Sequence, residues 1–246
     1  MTKEIKKWWE DNAKTFQEES KVPIGITYGP GMPNENKLKL MGNLKGKNVL
    51  EIGCGGAQCG IGFAKKGARV TGIDISEEQL NYAKKLAEKN EVKIKLLQGD
   101  IVTLPQIKSN SQEIVFSSWA LFYVSDLNKC FKEVYRVLKK KGIFVFSTHH
   151  PFWETLNKRS MKVKRCYFET GKCEEPHGKG IFVWYRHTIS ELVNALTNAN
   201  FIIERVEEPD PRKKDKNTSK EIVPEAYKRK AMKLVPRTII FKAKKS

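Results

Sequence analysis

Residues 49–76 read VLEIGCGGAQCGIGFAKKGARVTGIDIS. The run Asn48–Ile52 has the length and apolar content of a short buried strand. A tight turn, Gly53-Cys54-Gly55-Gly56, follows it. Ala57 to Lys66 suits a helix, which Gly67 stops. Ala68 to Ile73 reads as a second strand. Ser76-Glu77-Glu78-Gln79 is a capping box that opens a second helix through about Lys89. Glycines at the carboxyl end of a strand let the backbone come close to a ligand. Asp74, at the end of the next strand, stands 21 positions after Gly53. An acid placed there accepts hydrogen bonds from a ribose diol.

The same rhythm continues along the chain. Val92–Leu97, Glu113–Ser117 and Gly142–Ser147 read as the third, fourth and fifth strands. Asp126–Leu138 is an amphipathic helix with Leu127, Phe131, Val134 and Leu138 facing inward. Short apolar strands alternating with amphipathic helices predict an α/β fold, a doubly wound and mainly parallel sheet covered on both faces. Thr188-Ile189-Ser190-Glu191 caps a further helix through about Ala199. Phe201–Val206 and Val235–Lys242 supply two closing strands, making seven. Residues 149–187 are aromatic and basic with no clean period. Residues 209–233, with three prolines and a lysine-rich run, read as a loop.

Two cofactor classes compete for the glycine turn. A dinucleotide fingerprint requires G-x-G-x-x-G, and here the third glycine position is Gln58. Glu51-x-Gly53-x-Gly55-Gly56 instead resembles the first motif of class I S-adenosylmethionine (SAM)-dependent methyltransferases. SAM has no pyrophosphate to demand the third glycine. Gln98-Gly99-Asp100, SQEIVFSSWALFYVSD at 111–126 and LKKKGIFVFST at 138–148 resemble later motifs of that family, in order. The last departs from it by carrying Lys140-Lys141 where Pro-Gly is common. The resemblance covers roughly residues 45–150. HHPFW at 149–153 and Arg186-His187-Thr188-Ile189 resemble the type-11-like small-molecule branch.

The resemblance implies a Rossmann-like, seven-stranded class I methyltransferase domain over 45–246. Residues 1–44 would form a cap of helix and loop. It also implies SAM as cofactor and S-adenosylhomocysteine as product, with site residues at matching positions. Gly53 and Gly55 would give close backbone approach, with Glu51 and Cys54 in the same motif. Cys54 reads as a packing residue, since methyl transfer from SAM needs no nucleophile. Asp74 would hold the ribose hydroxyls and Ile75 would pack on adenine. Asp100 would accept from the adenine amine beside Ile101. Ser117 and Trp119 would border the methionine and the acceptor. Gln58 opens the following helix and either lines the floor or packs within it.

N-terminal segments of related enzymes fold over the cofactor, so Tyr28, in a loop rich in Gly and Pro, is a candidate cover for the methionine end. Ile5, Trp8, Trp9, Ala13 and Phe16 fall on one helical stripe, which reads as lid packing. His149 and His150 end the fifth strand, where the ligand crevice of an open parallel sheet lies, and either is a candidate general base. Cys166, Cys173 and His177 have no usual zinc spacing and no evident fourth ligand, so no metal is expected.

The charge is uneven and large. The 246 residues carry a formal net charge of +18, from 37 Lys and 9 Arg against 28 acids. A polyanionic partner is one reading of such a balance. Arginine is the better residue for bidentate phosphate contacts, so the lysine excess fits general surface charge better. No apolar run approaches the ~20 residues needed to span a bilayer, and the charged N-terminus lacks a signal-peptide core. With five cysteines in no framework, a cytoplasmic protein is expected. The leading expectation is methyl transfer from SAM to a small-molecule acceptor, with no membrane partner. The alternatives are an RNA methyltransferase using the basic C-terminal half, and a non-catalytic SAM-binding regulator.

Overall fold

The computed structural model describes residues 1–157, 160–210 and 234–246. The loop expected at 209–233 falls almost wholly outside the described residues. Among those described, the chain runs α1 (Lys3–Ser20), α2 (Glu35–Leu38), β1 (Asn48–Ile52), α3 (Gln58–Lys65), β2 (Arg69–Asp74), α4 (Glu77–Lys89), β3 (Ile94–Gln98), β4 (Gln112–Ser118), α5 (Leu127–Val137), β5 (Leu138–His149), α6 (Pro151–Glu154), β6 (Gly171–Pro176), β7 (Ile181–Arg186), α7 (Ile189–Asn198), β8 (Phe201–Glu207) and β9 (Thr238–Lys245).

Seven strands form one sheet in the order β3-β2-β1-β4-β5-β9-β8. All neighbours from β3 to β5 pair in parallel, and β9 runs antiparallel to both β5 and β8. Both faces are buried, which is why the central strands read as unbroken apolar runs rather than as alternation. On one face Leu50, Ile52, Val115, Phe144 and Phe146 pack with Phe131 and Val134 of α5 and Leu192 and Leu196 of α7. On the other, Val49, Ile114, Phe116 and Val145 pack with Phe63 of α3 and with Ile26, Tyr28 and Met32 of the N-terminal loop. Strand order reverses between β1 and β4, so their carboxyl ends diverge into a crevice.

Several expected boundaries move. β5 starts at Leu138, directly after α5, and carries a register irregularity opposite Gln112–Ile114, so Gly142 lies inside the strand. The last strand begins at Thr238 and not at Val235, because Pro236 cannot donate to a ladder. The region 149–187, expected to be without period, contains the hairpin β6–β7 as a separate two-stranded sheet. Its strands escaped detection because β6 carries Lys172, Glu174 and Glu175 and stays largely exposed. Only β7 has a buried side, with Val183 and Trp184 against Ile5 of α1 and Phe122 and Tyr123.

Helix α1 is capped by Thr2, whose hydroxyl accepts from the Ile5 N–H. Ile5, Trp8 and Ala13 are buried as the stripe predicted, while Trp9 is half-buried against Phe16 and Tyr123. Trp8 packs on Phe182 at 4.8 Å, and its indole N–H donates to the His177 carbonyl at 2.8 Å. The helix is therefore clamped by the hairpin on one side and by α4 on the other.

Candidate active site

Gly53 and Gly55 both sit at positive φ, +67° and +49°, and turn the chain from β1 into α3. A side chain at Gly53 would place its Cβ 2.2 Å from the Cβ of Ala120. The glycine turn and the segment after β4 thus face each other closely across the crevice. The Gly55 N–H donates to Asp74 Oδ2 at 2.8 Å, and the Ser76 N–H donates to Oδ1 at 3.0 Å. Burial pushes the Asp74 carboxyl up from its ordinary range, while these backbone donors pull against that. Ile75 stands between Asp74 and the α4 cap. Ser76 caps α4 as expected, accepting from the Gln79 N–H at 3.2 Å. The reciprocal half of the expected box is absent, because the Gln79 amide turns to Gln17 instead.

Gln58 packs beside the glycine turn, its amide within 3 Å of where a Cβ at Gly56 would lie. Its amide donates to Gln17 Oε1 at 2.6 Å, and Gln17 donates to Gln79 at 2.7 Å. This chain of buried amides ties α3, α1 and α4 together. Glu10 adds a second tie, accepting from Ser76 Oγ and from the Glu77 and Glu78 N–H groups at 2.9–3.1 Å, so its carboxylate meets the positive end of α4. Helix α1 is thereby a roof over the end of β2, and Asp74 is 8% exposed.

Asp100 stands two residues after β3 and accepts from the Val102 N–H at 2.9 Å, while the amino group of Met1 pairs with its other oxygen. Ile101 is buried beside it in the core. Cys54 is buried against Gly72, and burial raises its thiol well above the ordinary value, which fits packing and not nucleophilic work.

Tyr28 departs from its expected place. Its ring is fully buried against Phe116 at 5.8 Å, and its hydroxyl donates to Glu35 Oε2 at 2.6 Å. Glu35 also accepts from the N–H groups of Leu40 and Met41, so the pair organises the N-terminal loop from beneath. The neighbouring Gly29 reaches the crevice instead: a Cβ there would lie 2.3 Å from Trp119 Nε1.

Trp119 has a left-handed backbone, φ +54°, directly after β4. Strain of this kind at the end of a central strand is a mark of functional sites. Three buried polar atoms near the carboxyl ends of β1 and β4 have no hydrogen-bond partner among the described residues: Glu51 Oε2, Ser117 Oγ and Trp119 Nε1. Burial raises the Glu51 carboxyl to about 8. Orphaned polar atoms beside a glycine turn and two strand-end acids fit a ligand with polar groups along its length, as SAM has.

The two histidines separate sharply. His150 is 4% exposed, accepts the Phe152 N–H at Nδ1 and bonds Glu208 through Nε2 at 2.7 Å. Both ring nitrogens are committed, so the structure corrects the expectation that His150 could serve as a base. His149 is stacked on Phe122 and edge-on to Trp119, each at 4.4 Å. It lines a cavity with Phe122, Glu154, Tyr167, Trp184 and His187. His187 is fixed there by a 2.8 Å bond to the Val124 carbonyl. The Arg237 guanidinium lies 4.6 Å above the Trp119 ring. Sequence reasoning missed Arg237, Glu10 and Glu154. Nothing local marks the first two, but Glu154 stands in the same HHPFWE run as His149.

Comparison with known proteins agrees with this geometry. The family profile described as "Methyltransferase domain" matches residues 43–199. An uncharacterized Haemophilus influenzae protein is 30% identical over 187 residues, covering 70% of this chain and 74% of that one. The solved structure of a SAM-dependent methyltransferase from Mesorhizobium loti is 26% identical, with TM-score 0.65, covering 84% of this chain and 94% of that one. A Coxiella burnetii ubiquinone biosynthesis O-methyltransferase is 30% identical over 57% of this chain and 56% of its own length. Other curated relatives are matched over about half their length. With the sheet order, the glycine turn and the strand-end acids in place, this chain belongs to the class I SAM-dependent methyltransferases.

Proposed function

We propose that the enzyme methylates a small-molecule acceptor bound in the cavity beside His149. The observation that carries this is the depth of the site. The His149 and Glu154 side chains are 24% and 14% exposed, recessed among aromatic rings beneath the β6–β7 hairpin. The closed cavity measures about 20 Å³, so a single compact molecule enters by parting these rings, whereas a polymer would in addition have to extrude one unit between them. The O-methyltransferase activity in the name of the Coxiella relative supports the same class of acceptor. Residues 1–44 act in this reading as the cap and 45–246 as the catalytic domain, in the cytoplasm. Among the described residues no helix is long and apolar enough to cross a membrane.

SAM, when bound, supplies a methyl group on a sulfonium whose leaving group is a neutral thioether. The chain's own tasks are alignment, exclusion of water and proton removal. Asp74 would hold the ribose diol and Asp100 the adenine amine, with Ile75 and Ile101 against the ring. Glu51, Ser117 and the turn at Gly53 and Gly55 would receive the methionine end, with Cys54 packed behind it. The roof formed by α1 excludes water. His149 takes the acceptor proton and returns it to solvent.

The test is transfer of labelled methyl from SAM into a cell extract separated into small-molecule, RNA and protein fractions. Label in the small-molecule fraction supports the reading. Label in RNA refutes it and assigns the basic C-terminal half a binding role.

A further inference from the structure

The geometry points to Glu154 as the residue that positions His149, so that the two form a dyad acting on an acceptor hydroxyl. The inference rests on the proposed role of His149 as base and extends it to Glu154, the residue that follows the HHPFW run. It starts from chain direction. His149 is the last residue of β5, and Pro151 at the first helical position begins the single turn α6. His150 caps that turn with its own ring, which is why it is unavailable for chemistry. The turn folds the chain back, bringing Glu154 Oε1 to 3.2 Å from His149 Nδ1. This is ion-pair distance without hydrogen-bond alignment, a looseness common in unliganded sites. The ring itself cannot swing freely, since Phe122 covers one face and Trp119 meets it edge-on.

A carboxylate beside Nδ1 favours the tautomer with the proton on that nitrogen. Nε2 is then the unprotonated nitrogen. When an acceptor O–H binds, its proton passes to Nε2, the oxygen keeps the bonding electron pair, and the imidazolium formed is stabilised by Glu154. The cavity walls include Phe122, Tyr167, Trp184 and Tyr185, which suit a flat, hydroxylated ring as the acceptor class. Among the described residues the cavity is also lined by Tyr167, Tyr185, Arg186, whose guanidinium donates to the Cys166 carbonyl, and His187, held by Val124, and Glu154 also acts on the Cys173 thiol. The Arg237 guanidinium lies over the Trp119 ring, one residue before Thr238, which pairs with His149 across the β5–β9 ladder.

The test reads the tautomer of His149 in the free, full-length protein labelled with 15N-histidine. There are 4 histidines, and the His149 signals are assigned by their loss in His149→Gln. The wild type is expected to show the Nδ1–H form as the main neutral species. Glu154→Gln is expected to move the population toward Nε2–H. Glu154→Asp should restore part of the Nδ1–H form. A wild-type spectrum dominated by Nε2–H overturns the dyad without any substitution, as does an unchanged spectrum in Glu154→Gln. The underlying base reading fails separately, by undiminished methyl transfer into the extract in His149→Gln.

Discussion

Replacing Glu51 by Gln should remove a pH dependence of stability built into the first strand. Glu51 is completely buried, and its carboxyl is raised from 4.5 to about 8, mainly by desolvation and further by the nearby Asp74. Between those two values the folded protein holds a proton that the unfolded chain has lost. Stability therefore falls as pH rises through that window, by up to about 1.4 kcal/mol per unit, and levels off above about 8. The full shift corresponds to about 5 kcal/mol, a ceiling that local relaxation and water entry reduce, so a loss of about 2–3 kcal/mol is the working expectation. Glutamine keeps the side-chain shape and the single orphaned oxygen but cannot ionise. Urea unfolding of both proteins from pH 5 to 9 isolates the effect, because the many exposed charges are common to both. The two should converge near pH 5, and the variant should become progressively more stable toward pH 9. Parallel curves for wild type and Glu51→Gln would refute the assignment of a buried, protonated carboxyl.

The same carboxyl should make cofactor binding release close to one proton near neutral pH, since a bound ammonium favours its ionised form; calorimetry of SAM binding in buffers of different ionisation enthalpy measures this. Asp74→Asn should leave the fold intact and weaken SAM binding about a hundredfold, from the loss of charge-assisted hydrogen bonds worth about 3 kcal/mol together, read by titration calorimetry. Gly53→Ala should cost more than Gly46→Ala in thermal unfolding. Both glycines have positive φ, +67° and +74°, but a Cβ at Gly53 meets Ala120 whereas nothing lies within 4 Å of one at Gly46. The control should cost about 1 kcal/mol and the site glycine clearly more. Trp8→Ala should destabilise the protein by about 3 kcal/mol and weaken SAM binding, as the hairpin releases its hold on α1.

The residues that determine the fold speak locally. The strand, glycine turn, helix and strand-end acid over 49–76 specify one βαβ unit by periodicity and turn chemistry alone, and its repetition through Ser147 implies a parallel sheet. Gly53, Gly55, Asp74, Asp100 and Trp119 were legible because their positions are set by where strands end. The boundaries of β5 and β9 were not, because helix and ladder compete for the same few residues there. The hairpin was hidden because a strand packed on one helix needs only Val183 and Trp184 buried, too few to show a period.

Tertiary structure alone decided which polar side chains share a partner. Tyr28 and Gly29 are neighbours in sequence, yet one is drawn into the core by Glu35 and the other faces the crevice against Trp119. Gln17, Gln58 and Gln79 read as ordinary helix residues and become a buried amide chain only when three helices meet. His149 and His150 are indistinguishable in sequence. A strand's alternation sends adjacent side chains to opposite sides, and here that places one ring on Glu208 and the other between Phe122, Trp119 and Glu154. Which strands form follows from the order of residue types along the chain, whereas a catalytic environment is set by what distant segments bring within a few ångströms.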